Sequence, residues 1–320
     1  MRMMKKLLIL LVAVLLTACT VKPDPDPDPD PDPDPIPLSA YEINLRRDVL
    51  SLMASYPGGV VDVEREGDQV YVITENGSRL IYDDFEVKDF ETDVLPDLQD
   101  TMDVLYYFGG VSGRSTTDPG RIKPYTLLDA LYGHEKTDIA DDLQKVAFFG
   151  QNLNMNAKYG AYEALSAAVE ELGPLMTADA TTVPYITPSS GTWNYRLISG
   201  TTVLSLHAYG IAIDFKFNSY DYWRWIKTDQ QEAIAIQRIA DYPDAIYAIM
   251  EKHGFIWGGK WMHYDTVHYE YRPELIFKAT YFSEAPGEKE PWYTGVNESD
   301  TALMALVERI DKQLTVETTP

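Results

Sequence analysis

Ser205-Leu-His-Ala-Tyr-Gly-Ile-Ala-Ile-Asp214 and, some fifty residues later, Asp265-Thr-Val-His-Tyr-Glu270 are the stretches on which the fold prediction depends. They supply two histidines, His207 and His268, together with carboxylates at fixed short spacings from them. A hydrolytic zinc site uses three protein ligands, leaves one position open for water, and has a nearby carboxylate that handles protons. The two segments together therefore indicate the ligand set of a zinc hydrolase.

Both segments alternate in the manner of β-strands. With a strand period of two, the stretch from 211 to 217 separates an apolar face from a polar face that carries Asp214. In Val267-His-Tyr-Glu-Tyr271 the same alternation puts His268 and Glu270 on one face. A turn at Gly210 can bring His207 back beside the polar face of the first strand. Two strands whose polar faces meet could thus share one metal ion. The predicted apolar face of the first strand consists of Ile211, Ile213, Phe215 and Phe217.

The combined pattern Ser-x-His-x-x-Gly-x-Ala-x-Asp and acidic-x-x-His resembles the M15 metallopeptidases, which are zinc D-alanyl-D-alanine peptidases and L-alanyl-D-glutamate endopeptidases. Trp257-Gly-Gly-Lys-Trp261 is similar to a Trp-Gly-Gly-x-Trp stretch of that family. Tyr195-Arg-Leu-Ile-Ser-Gly200 is similar to the arginine-bearing segment before its first histidine. The strong part of the resemblance covers residues 145 to 280.

The resemblance implies a role for each matching residue. It implies Zn²⁺ as the cofactor, Asp265 as the catalytic acid and base, and Arg196 as a catalytic-site residue that contacts substrate or steadies the oxyanion. Many relatives carry Glu at the position of Asp265. The predicted metal ligands are His207, Asp214 and His268, and the predicted substrate-contacting or ligand-supporting residues are Ser205, Glu270, Trp257, Trp261 and His263.

Three of these predictions have alternatives. Glu270 either orients the His268 imidazole, as carboxylates behind metal ligands often do, or is an ordinary charge on a strand surface. His263, Asp265 and His268 offer an alternative local triplet, which leaves His207 and Asp214 unexplained, so His263 is predicted beside the site. The tryptophans either wall a cleft or pack in the core.

The predicted fold class is α+β: a small antiparallel sheet with flanking helices, resembling the Hedgehog/DD-peptidase fold, preceded by a small α+β N-terminal module. The patterns predict helices over 40–56, 156–172, 243–252 and 299–312, a strand over 60–63, and a hairpin of strands 70–74 and 79–82. The predicted domains are a lipoprotein signal peptide (1–18), a lipidated Cys and Pro-Asp linker (19–37), the N-terminal module (38–140), the M15-like zinc peptidase domain (141–285) and a C-terminal helical extension (286–320).

The N-terminus predicts where the protein works. Basic residues precede an apolar run from Leu7 to Leu16, and Leu16-Thr-Ala-Cys19 is typical of a lipoprotein processing site. We expect lipidation at Cys19, the only cysteine, and hence a bacterial extracytoplasmic protein, on the outer membrane if the cell has two. The Pro-Asp repeat from Pro23 to Pro37 would extend about 45 Å as a tether. The predicted membrane contact is through the lipid alone.

The charge and the hydrophobic content of the chain indicate which kinds of partner it can bind. The formal net charge is −23, which argues against nucleic acid as a partner, while 45% hydrophobic residues permit a substantial core. We expect a monomer whose partner is the stem peptide of peptidoglycan.

The favoured activity is that of a zinc D-alanyl-D-alanine carboxypeptidase. An L-alanyl-D-glutamate endopeptidase is the first alternative. A catalytically inactive, metal-containing lipoprotein that binds the cell wall is the second, and the departure at Asp265 keeps it open.

Overall fold

The computed structural model describes residues 38–88 and 95–315, which belong to one compact unit. The predicted signal peptide, Cys19 and the Pro-Asp linker lie outside the described residues. None of the described helices combines the length and apolar composition that a membrane-spanning helix requires.

The predicted α+β class with small antiparallel sheets and flanking helices is confirmed. The strands in chain order are β1 (Val60–Glu66), β2 (Gln69–Thr74), β3 (Arg79–Ile81), β4 (Leu143–Phe148), β5 (Gln151–Asn156), β6 (Ala212–Asp214), β7 (Phe255–Trp257) and β8 (His268–Tyr271). The α-helices are α1 (Ala40–Ser55), α2 (Leu98–Met102), α3 (Tyr125–Tyr132), α4 (Lys136–Ala140), α5 (Ala161–Ala178), α6 (Val183–Ile186), α7 (Leu206–Tyr209), α8 (Asp229–Ala240), α9 (Asp244–Lys252), α10 (Pro273–Tyr281) and α11 (Thr301–Leu314).

These strands form three antiparallel sheets. Their orders are β1-β2-β3, β4-β5 and β6-β8-β7, so β8 is the central strand of the last sheet. The hairpin around Asn76-Gly77 is present as predicted, with β2 and β3 on either side. The β4-β5 hairpin was not predicted, and it occupies the start of the helix expected at 156.

Helix α1 ties the N-terminal region to the rest of the unit. It packs against α10 and α11, and α11 also contacts β1. Ser39 caps α1 by accepting a hydrogen bond from the Glu42 N–H. The predicted domain boundaries at 140/141 and 285/286 stay predictions.

Two predicted elements have different lengths in the structure. Helix α5 was expected to end at Gly173-Pro174, but it continues to Ala178. Pro174 is exposed, whereas Leu175 and Met176 pack against the core, so tertiary packing holds a last turn that proline would otherwise end.

The strand expected over 211–217 is shorter, because β6 ends at Asp214. The Phe215 N–H still bonds to the Val267 carbonyl, but the Lys216 N–H turns to Tyr185. Phe215 is buried, whereas Phe217 is 55% exposed, so Phe217 is not part of the predicted apolar face.

Candidate metal centre

The register between β6 and β8 brings Asp214 and His268 together. Asp214 lies directly opposite His268, and Ala212 lies opposite Glu270. Opposite residues on one face of an antiparallel pair have Cβ atoms about 4.5–5.5 Å apart, which suits shared contacts. On its other side Asp214 pairs with Gly191, whose carbonyl accepts a hydrogen bond from the Asp214 N–H at 2.9 Å. Asp214 is therefore held by backbone hydrogen bonds from both directions.

His207 reaches the same point through the turn at Gly210. This glycine follows the one-turn helix α7 and has φ +73°, in the left-handed region. A Cβ there would lie 2.7 Å from the Leu143 side chain and 3.2 Å from the Asn156 backbone nitrogen. Both the conformation and the space thus favour glycine, and the turn directs His207 back toward β6.

Three nitrogen and oxygen atoms converge at this place. His207 Nε2 lies 3.2 Å from Asp214 Oδ1 and 3.3 Å from His268 Nδ1, and His268 Nδ1 lies 2.9 Å from Asp214 Oδ1. A tetrahedral zinc ion with ligand distances of about 2.0–2.1 Å separates its ligand atoms by about 3.3–3.4 Å. The separations of 3.2 and 3.3 Å are close to such an edge and that of 2.9 Å is shorter, so the three atoms lie near enough together to share one ion.

The second nitrogen of each imidazole has its own acceptor. His207 Nδ1 lies 2.6 Å from the Thr192 carbonyl oxygen, so it donates its proton there. His268 Nε2 lies 3.1 Å from Glu270 Oε2. With these outer nitrogens as hydrogen-bond donors, His207 Nε2 and His268 Nδ1 are the atoms that would coordinate a metal. Of the two alternatives for Glu270, this geometry favours support of the imidazole.

The electrostatics of the centre favour a cation. Burial alone would lower the pKa of His268, but hydrogen bonds to Asp214 and Glu270 raise it to about 10. Burial alone would raise the pKa of Asp214, but the neighbouring His207 and His268 hold it well below its usual range. Both shifts arise from the attraction between the Asp214 carboxylate and the neighbouring imidazoles, so the site stabilises a positive charge next to Asp214. A metal ion would supply that charge and release the proton of His268.

Asp265 lies beside the three ligands without contacting another described side chain through a hydrogen bond. Its backbone N–H bonds to the Gly258 carbonyl at 3.0 Å, and its backbone pairs with Tyr222. The side chain stays partly accessible while protein surrounds it. Burial raises the pKa of Asp265 to about 7, while the neighbouring His268 and His207 oppose this rise and the Asp214 charge adds to it. A bound dication would act in the same direction as the two histidines and lower that pKa.

Behind the ligands lies a buried ion network, defined by Lys123, Glu270, Arg272 and Glu274. Lys123 Nζ donates to Glu270 Oε1, and Arg272 Nη1 lies 3.5 Å from the same oxygen. Arg272 Nε also donates to Glu274, which accepts a 2.7 Å hydrogen bond from the Tyr56 hydroxyl of the N-terminal region. Burial would raise the pKa of Glu270, but the Lys123 charge and the His268 hydrogen bond lower it to about 2. Glu270 therefore stays ionised behind His268.

Sequence reasoning missed Lys123. It lies 147 residues before Glu270, outside every motif on which the site prediction depended. A lone lysine in such a segment carries no signal that it will be buried.

The same segment also contacts His263 and Trp261. His263 Nδ1 lies 2.7 Å from Asp118 Oδ2, and the Trp261 indole N–H donates to the Pro119 carbonyl at 2.6 Å. His263 is absent from the groups of described residues that could hold a metal, so the local triplet with Asp265 and His268 does not form. His263 instead borders the site through its pairing with Asp118.

The tryptophans of the Trp-Gly-Gly-Lys-Trp stretch pack inside the protein. Trp257 is fully buried, stacks on Tyr247 at 4.8 Å, and donates its indole N–H to the Thr266 carbonyl. Trp261 is 2% exposed, and its ring lies 5.8 Å from that of His268. Of the two alternatives for these residues, the geometry therefore favours core packing over the wall of a cleft.

Arg196 and Ser205 are joined by a backbone hydrogen bond. The Ser205 N–H bonds to the Arg196 carbonyl at 3.0 Å, next to the start of α7, and Ser205 is buried. The Arg196 side chain is exposed and contacts only the Leu197 carbonyl, at 3.4 Å, among the described residues. The guanidinium is therefore available to a ligand, and its predicted role stays a prediction.

A second acidic group, Asp83, Asp84 and Asp97, also lies close enough together to hold a cation. Lys88 already occupies it, with Nζ 2.9 Å from Asp84, 2.7 Å from Asp97 and 2.7 Å from Asp100. An ammonium group thus neutralises this cluster from within the chain.

An α+β fold that gathers two histidines and an aspartate around one point, with a further carboxylate beside them, has the features of a metal-dependent hydrolase. Residues 199–271 match a peptidase M15 family model described as D-alanyl-D-alanine carboxypeptidase. The match includes His207, Asp214, Asp265 and His268, and it supports the M15 family and a peptidase activity related to peptidoglycan. It covers less than a quarter of the chain. No curated protein and no solved structure matches the chain.

Proposed function

We propose that this protein is a zinc-dependent peptidase that hydrolyses peptidoglycan stem peptides, with D-alanyl-D-alanine carboxypeptidase as the favoured activity. The observation that carries the proposal is the triangle of His207 Nε2, Asp214 Oδ1 and His268 Nδ1, with edges of 2.9–3.3 Å, inside the segment that matches the M15 family model. The three residues would hold the ion.

When bound, zinc would act as a Lewis acid toward the scissile carbonyl and lower the pKa of a coordinated water. Asp265 would accept the proton of the attacking water on its carboxylate and return it to the leaving amine. Burial raises the pKa of Asp265 and a bound dication would lower it, so the two influences oppose each other at the carboxylate that would take the proton. Its freedom from hydrogen bonds to other described side chains leaves both oxygens available.

Arg196 would bind a substrate carboxylate or steady the oxyanion. Its planar fork of N–H donors matches carboxylate geometry, and its side chain is exposed next to the α7 turn that carries His207. A free terminal carboxylate at this position distinguishes a carboxypeptidase from an endopeptidase. An L-alanyl-D-glutamate endopeptidase is the second candidate, since the same arginine could meet the glutamate side chain instead.

The proposed location is outside the cytoplasmic membrane, with the protein anchored by a lipid on Cys19. The sequence Leu16-Thr-Ala-Cys19 and the Pro-Asp tether support this location. Such a tether would let the peptidase reach the peptidoglycan layer from the membrane surface.

The decisive experiment is digestion of purified muropeptides, with the products identified by mass. Loss of one alanine from a pentapeptide indicates a carboxypeptidase, and a cut between alanine and glutamate indicates an endopeptidase. Asp265→Asn is the matched variant, because it keeps the size of the side chain but cannot accept the proton. We expect it to retain zinc and lose turnover by about 10²–10⁴-fold. Zinc-loaded protein that releases no product would favour the inactive, wall-binding alternative.

A further inference from the structure

Next to the candidate metal centre lies an aromatic and basic surface. It is defined by the exposed residues Phe217, Arg224, Trp225 and Lys227 and the half-buried residues Lys216, Tyr222 and Trp223. Phe217 is 55% exposed and Trp225 is 48% exposed, although their rings touch at a centroid distance of 5.3 Å. Tyr222 extends the cluster, with its ring 5.2 Å from that of Trp225. Contiguous exposed apolar groups with a polar rim mark interaction sites.

Backbone pairing joins this surface to the site. Tyr222 pairs with Asp265, and the Trp223 N–H donates to the Tyr264 carbonyl at 3.1 Å. The Trp223 ring lies 4.6 Å from that of His263. Phe217 follows Asp214 by three residues. The surface is therefore contiguous with the segment that carries Asp265.

The charge of the surface differs from that of the whole chain. The three basic side chains form no ion pair with another described residue, and the one carboxylate between positions 216 and 227, Asp221, is buried and paired with Arg238 at 2.5 Å. The formal net charge of the chain is −23. A local excess of cations in such a chain suits a ligand that carries carboxylates.

We infer that this surface binds the glycan strand of peptidoglycan beside the stem peptide that enters the metal centre. Sugar rings present flat faces of C–H groups that stack on aromatic rings, whereas alanine and glutamate of the stem have no group of that size. The carboxylates of the attached peptides match the basic side chains. The inference rests on the proposed function, because a stem peptide reaches the site attached to its glycan. An anionic membrane surface is the competing occupant, since its headgroups could pair with the same basic side chains.

The test measures binding of the full chain to labelled glycan strands from which an amidase has removed the peptides. We expect Trp225→Ala and Phe217→Ala each to weaken binding about tenfold, as truncation of an aromatic anchor does. Trp225→Tyr should restore most of the affinity. Phe108→Ala is the matched control, because Phe108 is 46% exposed and lies outside the surface. We expect it to bind as the unaltered protein does.

Vesicles of anionic phospholipid and free stem peptides complete the experiment. Equal binding of glycan strands by the two alanine variants and the unaltered protein overturns the inference, as does binding to vesicles in place of strands. If the unaltered protein cleaves free stem peptides but does not bind strands, only this inference fails. If it binds strands through Trp225 but cleaves no peptide, the surface stands and the proposed peptidase activity fails.

Discussion

The β1-β2-β3 sheet and the β6-β8-β7 sheet both have three antiparallel strands, yet their polar faces differ in kind. In the first, Arg79 pairs across the sheet with Glu64 at 3.2 Å and Glu66 at 3.0 Å, all in contact with solvent. In the second, Asp214, His268 and Glu270 form a hydrogen-bonded chain, and Glu270 also pairs with Lys123, which lies in a covering segment. Charges in water need no partner, whereas covered charges must satisfy one another. The comparison indicates that polar strand residues form a reactive site where a distant segment covers them, and that the sheet alone does not suffice.

The largest expected effect is that of His268→Ala. Removal of one ligand from the triangle should abolish tight zinc binding and lower hydrolysis of stem peptides by about a thousandfold, since a Lewis acid contributes several kcal/mol to such a reaction. Metal content by mass spectrometry and turnover of muropeptides check this. Undiminished metal and activity would show that the centre lies elsewhere.

The next effect concerns the covering segment. Lys123→Met should leave Glu270 buried with less compensation and lower the free energy of unfolding by about 3–5 kcal/mol, measured by urea denaturation. The double variant Lys123→Met/Glu270→Gln removes both charges and should recover part of the loss. Equal stability of the two variants would contradict the pairing.

A smaller effect is expected for Glu270→Gln. The amide oxygen can still accept the proton of His268, but without the full negative charge, so zinc affinity should fall about 10–100-fold. Competition with a metal-sensitive dye measures it. An unchanged zinc affinity would mean that Glu270 acts only in packing.

Arg79→Ala should have the smallest effect. Its partners are exposed on the β1-β2-β3 sheet, and exposed ion pairs contribute little to stability. We expect no measurable change in the melting temperature, zinc content or turnover. A loss of turnover would show that the two sheets are coupled.

Local patterns predicted much of the candidate site. The alternation in 211–217 and 267–271 and the turn at Gly210 allowed Asp214, His207 and His268 to be placed around one point, because strand period and turn chemistry are local properties. The resemblance to the M15 peptidases implied that the three are metal ligands. The structure places these three side chains together. The α+β class and the hairpin at Asn76-Gly77 follow from equally local signals.

What the sequence did not predict depends on distant contacts. The pairing of Lys123 with Glu270 requires knowledge of which segment covers β8. The extra turn of α5 is held by packing of Leu175 and Met176 against the core. Strand β6 ends before Phe217, where the Lys216 N–H bonds to the Tyr185 carbonyl. Composition and periodicity carry no information about such partners.

The buried ion network has a practical consequence for dissecting the chain. A fragment restricted to residues 199–271 would contain both histidine ligands and Asp265, but it would lack Lys123, Glu274 and Tyr56. It would lack Arg272 as well, so Glu270 would face water in place of both of its cationic partners. The segment that carries the family signature is therefore not a portable minimal enzyme, and any transplantation of this centre has to carry its distant neighbours with it.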